Sequence, residues 1–422
     1  MRTLRTIAAV LALALPGVQA ARAGDVRIMW YSDGVEGEVV KDLLARFAKA
    51  NPGINVILDQ VSFSVVREQL PVQLEAGTGP DIARVTALKT LSRHWLDLRP
   101  LLSDPAYWDK NYGEQADWIR PDGSNAIDGF MSQITEEGGF ANKTLFEQAG
   151  VAMPGKGATW DDWAKAAKAV ADSQKVAFPM ALDRSGHRLT GPLLSAGARL
   201  IAPDGKPAPL DAAAKGFLSR FIGWVKDGLM SKDVWVSAAG STYRAASEDF
   251  IGGQVAYYYS GSWQVPNFST KIGQSFDWVA TGSPCGATAC TGLPGGAGLV
   301  AIKYTKNPKE VAKVMEYLAS EDVVREFCER SLFLPANKSV REKGLTYKTA
   351  DPQAKAALGA FVADYGALTP AAFAIPAWTW NDALYAALVT RVSQAAAGEM
   401  SDAEAFKRID GDIAAKVAEA GR

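Results

Sequence analysis

Asp25–Leu58 reads DVRIMWYSDGVEGEVVKDLLARFAKANPGINVIL, and two periodicities share it. Val26, Ile28 and Trp30 alternate, the period of a strand with one buried face. Val40, Leu43, Leu44 and Phe47 then recur at i, i+3, i+4 and i+7, one face of a helix. Asn51-Pro52-Gly53 stops that helix, and Ile54, Val56 and Leu58 alternate again. Strand, helix and strand in so short a run predict a βαβ unit, with a parallel pair and a right-handed crossover.

The same mixture continues outward. Thr159 and Asp162 have the spacing of a capping box, with Trp163, Ala167 and Val170 as the inner stripe behind it. Asn307, Pro308 and Glu310 predict an N-cap, a first-turn proline and a first-turn acid, ahead of an amphipathic helix carrying Val311, Val314, Met315 and Leu318. Asp402–Ala420 is helical in pattern. The chain therefore reads as α/β. Its 422 residues suggest two or three domains. A composition of 48% hydrophobic and 22% charged residues excludes a disordered or fibrous chain. A net charge of -1 excludes an overall basic field that would hold nucleic acid.

Residues 1–23 predict a compartment. Arg2 and Arg5 precede an apolar run, Ile7–Leu15, too short to span a bilayer. Ala21-Arg22-Ala23 fits a small-x-small cleavage site, and Val18-Gln19-Ala20 is a second candidate. This is the pattern of a cleaved signal peptide, and it places the mature chain in a bacterial periplasm. Cys285 and Cys290 bracket four residues, a spacing that an oxidising compartment would close as a disulfide, leaving Cys328 as a buried free thiol.

Little in the chain suggests catalysis. No Walker A loop or G-x-G-x-x-G follows a predicted strand. Gly295-Gly296-Ala297-Gly298 is glycine-rich, but it precedes a strand-like run, Leu299–Ile302, where a phosphate cradle needs a helix N-terminus. His94 and His187 stand alone, without neighbours at metal-ligand spacing, so no metal or cofactor is expected. Glu136 and Glu137 are adjacent, and side chains of adjacent residues in an extended chain point to opposite faces. No catalytic residues are assigned.

Several stretches, in order along the chain, resemble the extracellular solute-binding proteins of ABC importers, in the carbohydrate-binding group that includes maltose-binding protein. They are Met29–Asp33, Phe47–Val56, the turn Ala76–Ile82, the segment Phe140–Val151 followed by Thr159–Asp162, Phe250–Ala256 with Gly261-Ser262-Trp263, and Gly298–Ile302 through Pro308. Three departures stand out: Phe140-Ala141 before Asn142-Lys143, Pro71 within a helix that the family keeps continuous, and the Cys285–Cys290 insertion.

The resemblance implies a type II periplasmic binding protein fold. Two α/β lobes would be joined by a hinge, with the ligand in the cleft between them. Lobe 1 would hold residues 24–132 with 290–338, and lobe 2 residues 133–289 with 339–422. The implied function is capture of a carbohydrate or carbohydrate-like solute and its delivery, by a monomer, to an ABC importer permease. The alternative is a secreted carbohydrate-active enzyme. The solute could be a mono- or oligosaccharide, a polyol, a sulfosugar or a glycerophosphodiester. In an anionic case Arg84, Arg188 and Arg341 would matter. Sugars offer hydroxyls and an apolar ring face, so their sites pair polar side chains with aromatic platforms. By position the contacts implied are Ser32, Asp33 and Glu36 after the first strand, then Arg84 and Thr86. Gln133, Thr135 and Glu136 come next at the first crossover, and Asp183, Ser185 and His187 after Phe178–Leu182. Trp263 resembles the family's stacking tryptophan, and Trp378 and Trp380 lie where the C-terminal segment would pass the cleft.

Overall fold

The computed structural model describes residues 24–420; the signal-peptide expectation for residues 1–23 lies outside the described residues. The opening unit is β1 (Gly24–Tyr31), α1 (Glu36–Ala50) and β2 (Ile54–Val61). The two strands pair in parallel from Gly24↔Ile54 to Tyr31↔Val61. Helix α1 buries Val39, Val40, Leu43, Leu44 and Phe47, the stripe that its spacing predicts.

The remaining strands are β3 (Ile82–Val85), β4 (Gly129–Asn142), β5 (Phe178–Leu182), β6 (Val255–Gly261), β7 (Trp278–Gly282) and β8 (Pro294–Ala301). Their hydrogen-bonded order is β2-β1-β3-β8-β4-β6-β5, and β7 also pairs with β4. Strand β4 is the seam. Its residues Gly129–Glu136 pair with β8, while Glu137–Asn142 pair with β6 and β7. One strand thus changes partners between Glu136 and Glu137. Two hydrophobic cores form: one packs Ile28, Trp30, Leu43 and Phe47 with Met315 and Phe327, and the other runs across the seam, from Tyr31, Leu70 and Val85 to Phe140, Trp163, Tyr257 and Phe268.

Several local expectations meet the structure here. Helix α2 (Phe63–Glu75) runs unbroken through Pro71. The proline removes one helical N–H on a turn where Arg67, Glu68 and Gln69 are exposed, so water can serve the orphaned carbonyl. Helix α3 (Trp160–Gln174) has the predicted capping box at Thr159 and Asp162. Helix α4 (Gly186–Ser195) begins directly after the β5 loop, so His187 sits in a first helical turn rather than a loop. Asn307 occupies the N-cap of α5 (Pro308–Ala319) without capping it; its Nδ2 donates to the Asp25 carbonyl at 2.7 Å, tying this helix to β1. Gly295–Gly298 lies inside β8, not ahead of it. Gly296 (φ +145°) is needed there, because a Cβ would come within 2.3 Å of the Gln133 carbonyl oxygen. The C-terminal third adds α6 (Pro352–Tyr365), α7 (Asn381–Ala396) and α8 (Asp402–Ala420). Among the described residues no helix is long and apolar enough to cross a membrane.

Cys285 and Cys290 are joined and Cys328 is free and buried. The bonded loop satisfies carbonyls at the C-terminal end of α4: the Thr288 N–H donates to Ser195 O at 3.0 Å and Thr288 Oγ1 to Leu194 O at 3.3 Å. Reducing the bond should lower stability by ~2 kcal/mol, the chain-entropy value for so small a ring. After unfolding without reductant, alkylation should label one thiol per chain. Labelling of three thiols would show that the bond does not form.

Candidate functional site

A cavity of about 310 Å³ lies where the β4 seam, α2, α4 and α7 converge. Its first wall begins at the end of β1. Glu36 is fully buried, and its carboxylate accepts the N–H groups of Asp33 and, at 2.8 Å, of Gly34. Arg84 is equally buried. Its Nη1 donates to Tyr31 O at 2.5 Å and lies 3.4 Å from Glu36 Oε1, and its Nη2 lies 3.4 Å from Asp33 Oδ2. Burial pushes the Asp33 and Glu36 carboxyls up, and Arg84 opposes it. Asp33 lines the cavity, whereas Glu36 and Arg84 stand behind it and shape the loop that carries it. Both were expected as contacts; neither lines the cavity. Ser32 is exposed and its Oγ sits over Gly37, away from the cavity.

Strand β4 supplies the floor. Gln133 and Thr135 face the cavity and Glu136 does not, as strand alternation requires. Glu136 is 1% exposed, and its Oε2 has no hydrogen-bond partner. Burial, reinforced by Glu137 and Asp364, pushes this carboxyl well above the ordinary range. A folded-state pKa above the unfolded one gives a contribution that is full at low pH and lost as pH rises. Glu136→Gln stays neutral throughout. In urea unfolding it should therefore gain ~1–2 kcal/mol over the natural protein at pH 8 and nothing at pH 4. An equal effect at both pH values would show that Glu136 does not titrate in this way.

The second wall is an ionic cluster. Asp183, at the end of β5, is fully buried and accepts Tyr258 Oη at 2.5 Å, Ser260 Oγ at 2.9 Å and the Ala246 N–H at 3.0 Å. Glu137 Oε2 accepts the Leu293 N–H at 3.1 Å, and its Oε1 lies 2.6 Å from His187 Nδ1 and 3.2 Å from Arg188 Nη1. Arg188 Nε reaches Asp183 Oδ2 at 3.4 Å. The Arg188 guanidinium also sits 3.9 Å from the centre of the Trp263 ring. Burial opposes its charge, but Glu137 and Asp183 outweigh that and hold Arg188 above the ordinary arginine range. The first turn of α4 approaches α7 closely: a Cβ on Gly186 would lie 2.2 Å from Tyr385 Cα.

Of the residues singled out in the sequence, Asp33, Thr86, Gln133, Thr135, Ser185, His187 and Trp263 line the cavity. Ser32, Glu36, Arg84, Glu136, Asp183, Trp378 and Trp380 do not. Asp183 lies beneath the wall as an acceptor for its neighbours. Trp378 Nε1 donates to Gly205 O at 2.7 Å and Trp380 packs on the core, so both rings anchor the segment ahead of α7. The helix just beyond them reaches the cavity instead, through Asp382, Tyr385, Ala386 and Val389, spaced as one helix face. Phe63 and Arg67, also four apart, do the same from α2. These faces are readable only as amphipathic stripes. Nothing in sequence separates a stripe facing a cavity from one facing a core.

The model of the bacterial extracellular solute-binding protein family matches residues 31–325. The chain belongs to that family. This solute-binding protein is 24% identical over 395 residues to a binding protein of Brucella abortus (strain 2308), covering 87% of each chain. Its fold is that of a type II periplasmic binding protein. It is similar to the ABC transporter solute-binding protein of Thermotoga lettingae bound with alpha-D-tagatose, with a TM-score of 0.77, 18% identity, and coverage of 93% of this chain and 99% of that one. It is similar as well to the maltose-bound MalE protein of Thermotoga maritima, with a TM-score of 0.74, 18% identity, and the same coverage.

Proposed function

We propose that this solute-binding protein captures an uncharged carbohydrate or polyol in the periplasm and delivers it to the permease of an ABC importer. The observation that carries the reading is the composition of the cavity wall. The rings of Tyr31, Phe63, Tyr243 and Tyr385 and the amides of Gln133 and Asn381 line one cavity. Ring faces cover C–H surface and amides serve hydroxyls, the two things a sugar offers. The tagatose and maltose named for the two structural relatives agree with this.

The charges favour a neutral solute: of the arginines in the lining besides Arg188, Arg184 spends its side-chain donors on backbone carbonyls and a serine hydroxyl, and Arg67 shares the lining with the carboxylates Asp33 and Asp382. Arg84 is enclosed between Asp33 and Glu36, and Arg188 between Glu137 and Asp183. Arg341 pairs with Glu114 away from the cavity. Each of the guanidinium groups of Arg84 and Arg188 is already matched by two carboxylates, so an anionic group would meet no spare positive charge from them.

A thermal-shift screen of the mature protein tests the proposal. The panel holds neutral sugars, polyols, a sulfosugar and a glycerophosphodiester. A neutral hit at 100-fold over Kd should add about 2.7 kcal/mol. Hits confined to the anionic compounds would overturn the neutral reading, and a panel without hits would overturn the carbohydrate reading. The partner change within β4 supports two lobes, 24–132 with 290–338 and 133–289 with 339–422, closing about that seam. A monomer with a smaller radius of gyration at saturation is the expected small-angle scattering result; an unchanged radius would count against closure.

A further inference from the structure

One wall of the cavity has neither helix nor sheet to hold it. Residues 237–246 run as a loop between short helices, and Ser241, Tyr243 and Ala245 of this loop line the cavity. The Tyr243 ring meets Phe63 of α2 edge-on at 5.5 Å, and Phe63 in turn lies 4.9 Å from Tyr31. Tyr243 thus joins the second wall to the first across the cavity.

Arg184, one residue beyond the Asp183 hub, is 1% exposed and has no carboxylate partner among the described residues. Its side-chain donors go to three backbone carbonyls and a serine hydroxyl instead. Nη1 donates to Thr242 O, Nη2 to Gly240 O at 2.7 Å, and Nε to Trp235 O at 3.2 Å and Ser393 Oγ at 3.0 Å. Its own N–H donates to Arg244 O at 2.8 Å. A buried cation without a counter-ion is costly, and the nearby Arg244 adds to that cost. What the guanidinium does in return is specific: a planar fork reaches three carbonyls, two of them from one loop, which no apolar side chain could satisfy.

We propose that Arg184 is the positioning residue of this wall: its fork sets the path of Gly240–Arg244, and through that path it seats Tyr243 against Phe63. The inference rests on the cavity being the solute site, but the arrangement it assigns exists before any solute arrives.

Hydrogen exchange of the mature, solute-free protein tests it. The reporters are the amides of Thr242, Arg244 and Ala246, which are hydrogen-bonded within the loop, to Arg184 O and to Asp183 Oδ1. Arg184→Met should speed their exchange roughly tenfold or more while β5 and β6 keep their protection. Arg184→Lys keeps the charge but not the fork, and should restore little. Tyr243→Ala should leave the reporters protected, because the clamp lies upstream of the ring. Unchanged reporters in Arg184→Met would overturn the proposal. So would full protection in Arg184→Lys, or equal loosening in Tyr243→Ala. If Arg184→Met does not fold, Arg184→Lys alone decides: slow reporters reject the fork and fast ones support it. A failed solute screen would leave all these rates as they are, so the two ideas fail separately.

Discussion

Replacing Arg188 with methionine is expected to lower folding stability by ~3–5 kcal/mol at neutral pH, the range for breaking a buried ion pair by removing one partner. The side chain is 10% exposed and bridges two carboxylates that are fully buried, Glu137 and Asp183. Methionine fills much of the same volume but leaves both negative charges facing each other. They keep their neutral donors, Tyr258, Ser260 and the Leu293 N–H, which limits the loss. Urea unfolding at pH 7.5 measures this. A deficit under ~1 kcal/mol would show that the cluster is held by its neutral hydrogen bonds instead.

That cluster also shows where sequence is informative and where it is not. The β1–α1–β2 unit was legible because one face of each element is buried, and burial writes a period into the residues. The capping box at Thr159 was legible because a cap is a local bargain between residues three apart. The β4 seam was not: Gly129–Asn142 is buried along nearly its whole length, so no alternation marks the change of partners after Glu136. Arg84, Arg184 and Arg188 look alike in sequence. One shapes a loop from behind the wall; of the two that line the cavity, one holds carbonyls and one bridges carboxylates. The difference lies in burial and in partners far away along the chain, which local spacing cannot encode. The tryptophans expected beside α7 anchor its approach, and the residues after them reach the cavity, an offset set by where the helix starts.

Trp263→Ala is the second substitution with a large expected effect, and the structure changes which effect to expect. A stacking role would need a ring face open to the solute. Trp263 is 9% exposed, and the Arg188 guanidinium already lies over its ring. A Cβ on Gly261 would come within 2.0 Å of its six-membered ring, so that edge is enclosed as well. The indole also belongs to the core that contains Trp108 and Phe130. Alanine should therefore lower the stability of the solute-free protein by ~3–5 kcal/mol, as for other buried tryptophans. Part of that loss comes from Arg188, whose contact with the ring contributes ~0.5–2 kcal/mol. Affinity should fall too, but indirectly, because Arg188 loses its seat; Trp263→Phe, which keeps a ring under the guanidinium, should recover most of both. Denaturant unfolding beside calorimetric titration, with the sugar that the screen identifies, separates the cases. Near-natural stability together with a tenfold or greater loss of affinity would show that the indole meets the solute directly, with Arg188 swinging aside when it binds.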